Sequence, residues 1–456
     1  MTTAAQLIQL NSFDLAKLAD VCCKLHSKKG FVWLDSAAPN GVDNRYHIIS
    51  WQPKAMVLAK NGGLQIQAEG VELATQTQKP FAALEELEQQ FKFQPLENCD
   101  LPFQGGWLGY CAYDLGRYLE QLPQIAEQDL ALPDMQMAWY DAALVIDLQE
   151  DCAFLVGKAG QLELMNADLQ NLQAQPPAPF KLQQVWQANM TVEQYSAKFA
   201  QVQEYLIAGD CYQVNLAQRF SALYSGDPFS AYLRLREQNQ TPFSAYLNLE
   251  NAQILSVSPE RFISCTNDEI QTKPIKGTRP RKADFAADQE QKCELQNAEK
   301  DRAENLMIVD LLRNDLGKVA AAGTVEVPQL FAVESYPAVH HLVSTISAKL
   351  AANYSVYDLL AGAFPGGSIT GAPKLRSMEI IEELEPHCRS VYCGSIGYIS
   401  ICGKMDTNIA IRTLVTQQNK IYCWAGGGLV ADSNCAAEYQ ETFDKLAKIA
   451  PILQEL

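Results

Sequence analysis

The order in which strand-like and helix-like segments follow one another is what most restricts the folds open to this chain. Residues 30–34, 46–51, 54–58, 63–67, 142–147 and 153–156 read as strands, with helices at 14–26 and 80–91. Further along, strands fit 214–222, 244–249, 254–257, 261–266, 394–401, 405–414 and 420–425. Helices fit 295–316, 340–351, 356–363, 374–385 and 436–455. One more starts at Thr191-Val-Glu-Gln194, which has capping-box spacing, and runs to Ala208 before Gly209-Asp210 ends it. The strands come in hairpin-like runs, without strict β-α-β alternation. That order predicts an α+β fold with antiparallel sheets covered by outer helices. A dinucleotide-binding α/β fold would need G-x-G-x-x-G after its first strand, which is absent, and no fixed repeat supports a solenoid or propeller.

The clearest interruption lies at 174–189, where Gln175-Pro-Pro-Ala-Pro179 breaks both helical and strand patterns. It predicts a seam near residue 180, with an N-terminal lobe at 1–180 and a second domain at 181–456. The 456 residues carry a net charge of −17, which repels phosphate backbones and anionic membranes, so neither nucleic acid nor a membrane is an expected partner. No stretch approaches the roughly 20 apolar residues of a membrane span. Residues 1–20 carry Asn11, Ser12 and Asp14 where a signal peptide would be apolar, so the expected location is the cytoplasm and the expected mature protein the whole chain. Thirteen scattered cysteines without C-x-x-C spell neither a zinc framework nor a redox motif. With only five histidines, a metal here is expected to be held by oxygen.

Seven segments bear chemistry. Asp301 and Glu304 stand three apart on a predicted helix, and Glu438 and Glu441 repeat the arrangement on the last one. These pairs either converge on one hard cation such as Mg²⁺ or are the solvated faces of ordinary helices. Glycine-rich turns fit 105–106, 365–374 and 426–428, and amides in such turns can cradle a carboxylate. Glu260 in Ser258-Pro-Glu-Arg-Phe262 and Lys276 in Lys273-Pro-Ile-Lys-Gly-Thr-Arg-Pro-Arg281 lie at strand ends. They read as a general acid and an amine nucleophile, or as a structural ion pair. No G-x-S-x-G elbow or cysteine nucleophile turn appears, so glutaminase chemistry is not expected in this chain.

Taken together, Ala208-Gly-Asp-Cys-Tyr-Gln-Val-Asn-Leu216, Ser258-Pro-Glu-Arg261, 300–317, His341-Leu-Val-Ser-Thr345, 365–374 and 426–441 resemble the chorismate-utilising enzymes, in family order. That family includes the anthranilate, aminodeoxychorismate, isochorismate and salicylate synthases. Phe103-Gln-Gly-Gly-Trp-Leu-Gly-Tyr-Cys-Ala-Tyr-Asp114 and Leu34-Asp-Ser36 match more loosely. The resemblance implies two antiparallel sheets packed as a sandwich with helices outside. It implies chorismate as substrate, Mg²⁺ bound by Glu304 and Glu441 with Asp301 and Glu438 nearby, and Glu260 as the acid that protonates the leaving 4-hydroxyl. Thr278, His341, Ser368, Tyr392, Arg412, Gly426 and Gly428 match positions around the substrate, with Lys445 and Lys374 weaker candidates for its electrostatic lining.

Two positions choose within the family. Gln213 stands where the water-using members carry a water-activating lysine, which implies ammonia as nucleophile. Lys276 stands where anthranilate synthases carry alanine, and Pro-Ile-Lys-Gly-Thr resembles the aminodeoxychorismate-forming branch, whose lysine attacks ring carbon 2. The resemblance therefore implies formation of aminodeoxychorismate for p-aminobenzoate and folate, with ammonia from a separate glutamine amidotransferase subunit. The alternatives are anthranilate synthase component I and a non-catalytic, tryptophan-sensing relative. Ser36, Asp43, Asn44, Arg45, Tyr46, Pro242, Phe243 and Ser244 match the family's tryptophan pocket, which implies a structural or weakly exchanging tryptophan without strong feedback.

Overall fold

The structure is a computed structural model that describes residues 3–11, 13–38, 43–172, 176–336 and 339–454. Ala174 and Gln175 of the proline-rich break, and Glu455 at the end of the last predicted helix, lie outside the described residues. No helix among those described is long and apolar enough to cross a membrane.

Two large sheets organise the molecule. The thirteen-stranded sheet runs from Lys181–Leu182 through Gln213–Ser225, Lys420–Leu429, Thr413–Gln417, Ala252–Ser258 and Phe243–Asn248. It continues through Val32–Asp35, Tyr46–Ser50, Ala142–Asp147 and Cys152–Gly157 to Gln6–Gln9. The eleven-stranded sheet runs from Ile275–Pro280 through Val339–Lys349, Glu269–Thr272, Arg261–Thr266, Met405–Asn408 and Ser395–Ser400. Gly106–Cys111, Met135–Tyr140, Ala55–Lys60 and Gly63–Ala68 complete it. Pairing within both is antiparallel, as the hairpin-like order predicts. Strands from either side of residue 180 share each sheet: Val32–Asp35 pairs with Phe243–Asn248, and Gly106–Cys111 with Ser395–Ser400.

The two-residue period of a strand sorts the apolar side chains into two cores. Val32, Ile48 and Val145 join Val57, Trp107, Ile263 and Ile346 of the other sheet in a core shared by both sheets. Their neighbours Trp33, Ile49, Leu144 and Ile146 face the opposite way, beneath helices Leu18–Leu25, Ala159–Gln170 and Pro228–Asn239. The sandwich with outer helices follows from that alternation.

Helix Val192–Ala208 has the capping box of Thr191 and Gln194, and Gly209 closes it at φ 81°, the left-handed conformation glycine adopts freely. Residues 340–349 of the predicted helix 340–351 are instead part of strand Val339–Lys349. It pairs with Ile275–Pro280 and Glu269–Thr272 along one edge and Glu326–Ser335 along the other, and residues 340–346 are buried on both faces, so no alternation betrays it. The predicted strand 405–414 is two strands in different sheets, Met405–Asn408 and Thr413–Gln417. Ala298 takes an extended conformation and divides the predicted helix 295–316 into Phe285–Asn297 and Glu299–Gly317. Residues 426–428 are not a turn but the end of strand Lys420–Leu429, and Gly106 begins a strand.

One buried charge cluster pins a helix to the first sheet. The Asp35 carboxylate, fully buried, accepts hydrogen bonds from Arg236 Nε and Nη2 (2.5 and 3.0 Å) and Tyr232 Oη (2.8 Å), and lies 3.1 Å from His47 Nδ1. Burial pushes its pKa up, but Arg236 and His47 outweigh this and hold it well below the usual range. Arg236→Leu is expected to cost about 3–5 kcal/mol, because it leaves the carboxylate buried without its cation. Urea unfolding at neutral pH measures this, and adding Asp35→Asn is expected to recover much of the loss; a cost below about 1 kcal/mol would refute the pairing's importance.

Candidate active site

Two neighbouring connections carry the chain from one sheet to the other. Ser258-Pro259-Glu260 links Ala252–Ser258 to Arg261–Thr266, and residues 409–412 lead from Met405–Asn408 back to Thr413–Gln417. Backbone bonds hold them together, from Ile409 N–H to the Glu260 carbonyl (3.0 Å) and from Val257 N–H to the Arg412 carbonyl (3.1 Å). A cavity of about 570 Å³ opens at these crossovers, and Glu260, Lys276, Thr278, His341, Ser368, Tyr392, Arg412, Gly426, Gly428 and Lys445 all line it. So do Asp301, Glu304, Glu438 and Glu441.

Glu260 is buried at the crossover, and Ser368 Oγ donates a 2.8 Å hydrogen bond to its Oε1. Burial raises its pKa to about 7 against the opposing pull of Ser368 and Lys276. A carboxyl so placed can hold a proton at neutrality and give it up. Lys276 sits where the pairing of Ile275–Pro280 with Val339–Lys349 shifts register, and bulges of this kind re-aim side chains. The next residue, Gly277, has φ 80°, and a Cβ there would meet Asp301 Cγ at 2.8 Å, so glycine is needed on both counts. Lys276 Nζ donates to Glu304 Oε1 (2.8 Å) and to the Ser368 carbonyl (3.1 Å), which places the amine between Glu304 and the residue whose hydroxyl holds Glu260.

The acidic pairs come from helices Glu299–Gly317 and Cys435–Leu446. Burial pushes the Glu304 carboxyl up, but Lys276 and Gln213 outweigh it and keep it ionised, with Gln213 Nε2 donating to the same Oε1 at 2.7 Å. Asp301 and Glu438 are raised, first by burial and then by the adjacent carboxylates Glu304 and Glu441. Ser433 Oγ holds Glu438 (2.7 Å), and Lys445 pairs with Glu441 (2.8 Å) while donating to the Gly426 carbonyl (2.5 Å). Among the described residues, no three His, Cys, Asp or Glu side chains form a ready-made metal cage. The acids nevertheless surround one strand segment. A Cβ at Gly427 would lie 3.1 Å from Glu438 Oε2 and 3.4 Å from Glu441 Oε1, and one at Gly428 would lie 3.0 Å from Glu304 Oε1. A few crowded carboxylate oxygens with room for water and ligand oxygens are the donor set Mg²⁺ takes.

The far wall is positive. Arg412 has φ 48°, and among the described residues its guanidinium has no hydrogen-bond or ion-pair partner. Burial and the Arg412 charge lower the His341 pKa to about 3, so its imidazole is neutral, with Nδ1 2.8 Å from Thr278 Oγ1. Tyr392 stacks on Trp424, with centroids 6.2 Å apart. Lys374 is not in the cavity: it donates to Asp315 (2.5 Å) and the Ala363 carbonyl (2.7 Å), serving the helix junction. Asn215, Lys300, Trp424 and Lys448 line the cavity without having been marked as site residues. The two-residue spacing of Gln213 and Asn215, and the helical spacing of Lys448 from Lys445 and Glu441, were the signals available.

A second cavity of about 430 Å³ is lined by Ser36, Asp43, Arg45, Tyr46, Pro242, Phe243 and Ser244. Asn44 does not line it; its buried amide donates to the Ala38 carbonyl. Asp43 is held by Arg261 (2.6 Å) and Lys273 (2.8 Å).

Glu260 makes stability depend on pH with a definite sign. Its folded pKa of about 7 exceeds the ordinary 4.5, so the folded chain holds a proton that the unfolded chain releases. The stability of the neutral carboxyl is complete below about 4.5 and is lost as pH rises through about 7. Glu260→Gln, which cannot ionise, is therefore expected to gain on the order of 3 kcal/mol relative to the parent between pH 5 and 8. Urea unfolding at both pH values reads this, and a constant difference would mean that the ionised carboxylate is well accommodated.

The comparisons with known proteins agree on one family. Residues 30–451 match the chorismate binding enzyme family. Aminodeoxychorismate synthase component 1 of Escherichia coli (strain K12) is 54% identical over 412 residues, covering 90% of each chain. Its Klebsiella aerogenes counterpart is 51% identical over 426 residues, covering 93% of this chain and 94% of that one. Anthranilate synthase component 1 of Thermus thermophilus is 37% identical over 442 residues, covering 95% and 94%. The crystal structure of anthranilate synthase component I from Streptococcus pneumoniae TIGR4 superposes with a TM-score of 0.77 at 29% identity, covering 90% of this chain and 93% of that one. The chain belongs to the chorismate binding enzyme family.

Proposed function

We propose that this chain is the chorismate-aminating component of aminodeoxychorismate synthase, which replaces the 4-hydroxyl of chorismate with an amino group. The observation that carries this reading is the position of Lys276. Its Nζ lies in the cavity, 2.8 Å from Glu304 and on the carbonyl of the residue whose hydroxyl holds Glu260. Relatives named for aminodeoxychorismate synthase reach 51–55% identity, against 37% for the Thermus anthranilate synthase. An alanine at 276 would be expected for anthranilate chemistry.

In this reading Lys276, deprotonated as it attacks, bonds to ring carbon 2 while Glu260 protonates the departing 4-hydroxyl, which leaves as water. Ammonia then forms the bond to carbon 4 and the lysine leaves carbon 2, so the enolpyruvyl group is kept. Arg412 and the amides of Gly426 and Gly428 take the substrate carboxylates, and neutral His341, steadied by Thr278, contributes a hydrogen bond without adding charge. Tyr392 packs against the ring and Lys445 adds positive charge at the rim. Glu304 and Glu441, with Asp301 and Glu438 beside them, would hold Mg²⁺, which when bound neutralises a substrate carboxylate. Ammonia comes from a separate glutamine amidotransferase subunit, the product serves p-aminobenzoate and folate synthesis, and the location is cytoplasmic. Residues 181–456 form the catalytic domain, and the 1–180 lobe completes the second cavity, where Ser36, Asp43, Arg45, Tyr46, Pro242, Phe243 and Ser244 would hold tryptophan.

Incubating the protein with chorismate, Mg²⁺ and ammonium is expected to give aminodeoxychorismate, identified by mass, and fluorescent anthranilate as main product would overturn the reading. Lys276→Ala is expected to lose the amination, and parent-rate turnover would remove the covalent step. The rate is expected to fall as pH rises beyond about 7, where Glu260 loses its proton. Glu260→Ala is expected to lower kcat by roughly 10²–10⁴ at neutral pH.

A further inference from the structure

The two reacting side chains of the site meet one short segment. Ser368 donates to Glu260 through its hydroxyl (2.8 Å) and accepts from Lys276 through its carbonyl (3.1 Å). Behind that segment lies Arg389, 1% exposed and outside the cavity lining. Its Nη1 donates to the carbonyl of Ile369 (3.1 Å), the next residue along, and its Nη2 to the carbonyl of Asn215 (2.7 Å). Ile369 and Asn215 both line the cavity, so one guanidinium ties two of its walls together from behind. Glu385 holds the guanidinium in turn: Oε2 accepts from Nε (2.9 Å), and Oε1 from Nη2 (2.6 Å) and from the Ala217 N–H (2.8 Å). Tyr113 and Asp114, the end of the 103–114 motif, supply the remaining support. The Tyr113 N–H donates to the Ser390 carbonyl (2.8 Å), the Ser390 N–H donates to Asp114 Oδ2 (2.7 Å), and the Tyr113 ring centroid lies 4.8 Å from the guanidinium carbon. A buried ion pair contributes little to stability over apolar residues of the same size, so the specific feature of this arginine is its planar fork, which fixes two carbonyls at a set angle.

We infer that Arg389 is a positioning residue for both reacting side chains, setting where the 368–369 segment presents a hydroxyl to Glu260 and a carbonyl to Lys276. This rests on the aminating reading above, in which those two residues are the acid and the nucleophile. Arg389 makes no hydrogen bond to either and does not line the cavity, so its effect on them passes through Ser368 and Ile369. A shift of the segment would misplace both groups at once, and an error of about 1 Å can cost about 10²-fold in rate. In the same reading Arg412 and the amides of Gly426 and Gly428 bind the substrate, so a loss at Arg389 falls on kcat. A lysine at 389 keeps the charge beside Glu385 but brings a single ammonium, which cannot hold both carbonyls at the angle of the fork.

The test measures kcat and the KM for chorismate, with ammonium chloride as nitrogen source, in the parent, in Arg389→Lys and in the double variant Arg389→Met with Glu385→Gln. Rates are taken per folded molecule, from urea unfolding of the same preparations. The double variant leaves no lone buried charge, and its glutamine keeps an acceptor for the Ala217 N–H. Both variants are expected to lose roughly tenfold to a hundredfold in kcat, with the KM for chorismate at the parent value. Adding Ser368→Ala to Arg389→Lys is expected to lower kcat by less than the product of the two single losses, because the two residues act as one unit. A purely structural role would leave kcat per folded molecule at the parent value in both variants, and that result overturns the assignment. So does a raised KM at unchanged kcat, which would make Arg389 part of the substrate wall, and so does a combined loss equal to the product. An active parent with unaffected variants sinks the assignment alone, whereas a parent that forms no aminated product sinks the functional reading and the assignment with it.

Discussion

The paired crossovers at 258–260 and 409–412 are the constraint on which the site depends. A sandwich of two antiparallel sheets closes its inner faces on a shared core, and here the cavity opens where strands leave one sheet for the other. Two chain segments make that transfer side by side and bond to each other, so their separation is fixed by backbone geometry. Glu260 stands on one crossover and Arg412 on the other. An acid and a cation, distant in sequence, are thereby set on a common wall without depending on a flexible loop.

The electrostatics follow from this placement. The protein is acidic overall, yet its proposed substrate is a dianion, so attraction has to be local. Arg412 and the lysines at 276 and 445 supply positive charge among four carboxylates. Those carboxylates resist ionisation where they crowd, as the upward shifts at Asp301 and Glu438 record, and a divalent cation would relieve that repulsion. Glu304 differs because Lys276 and Gln213 both donate to its Oε1. One carboxylate oxygen therefore fixes both the Lys276 amine and the Gln213 amide.

Much of the fold was legible from periodicity, since strands such as Ala55–Lys60 and Gly63–Ala68 alternate between more and less buried positions. Val339–Lys349 was not, because a strand paired on both edges and buried on both faces has no polar side, and its histidines and serines mimic a helical period. The break inside 405–414 was hidden for another reason. Both halves are good strand sequences, and only long-range pairing with different partners shows that they belong to different sheets. Many of the residues that line the cavity were legible as motifs, but their chemical state was not. Nothing local to Glu260 predicts a pKa near 7; burial by the other crossover and by the 365–374 loop produces it.

The positions at which local rules fail are those that build the cavity. Arg412 occupies a left-handed conformation that an arginine rarely takes, at the turn between sheets. Gly277 takes the same region of backbone space, where any side chain would strike Asp301, and Lys276 is aimed inward by the register shift beside it. Gly428 sits in a strand, where glycine weakens packing, and makes room for the Gln213 amide and Glu304. Each is unfavourable for stability taken alone, and each puts a functional group where a regular strand would not. A sequence optimised only for the sandwich would have no reason to retain any of them, so their coincidence around one cavity is independent physical support for locating the chemistry there.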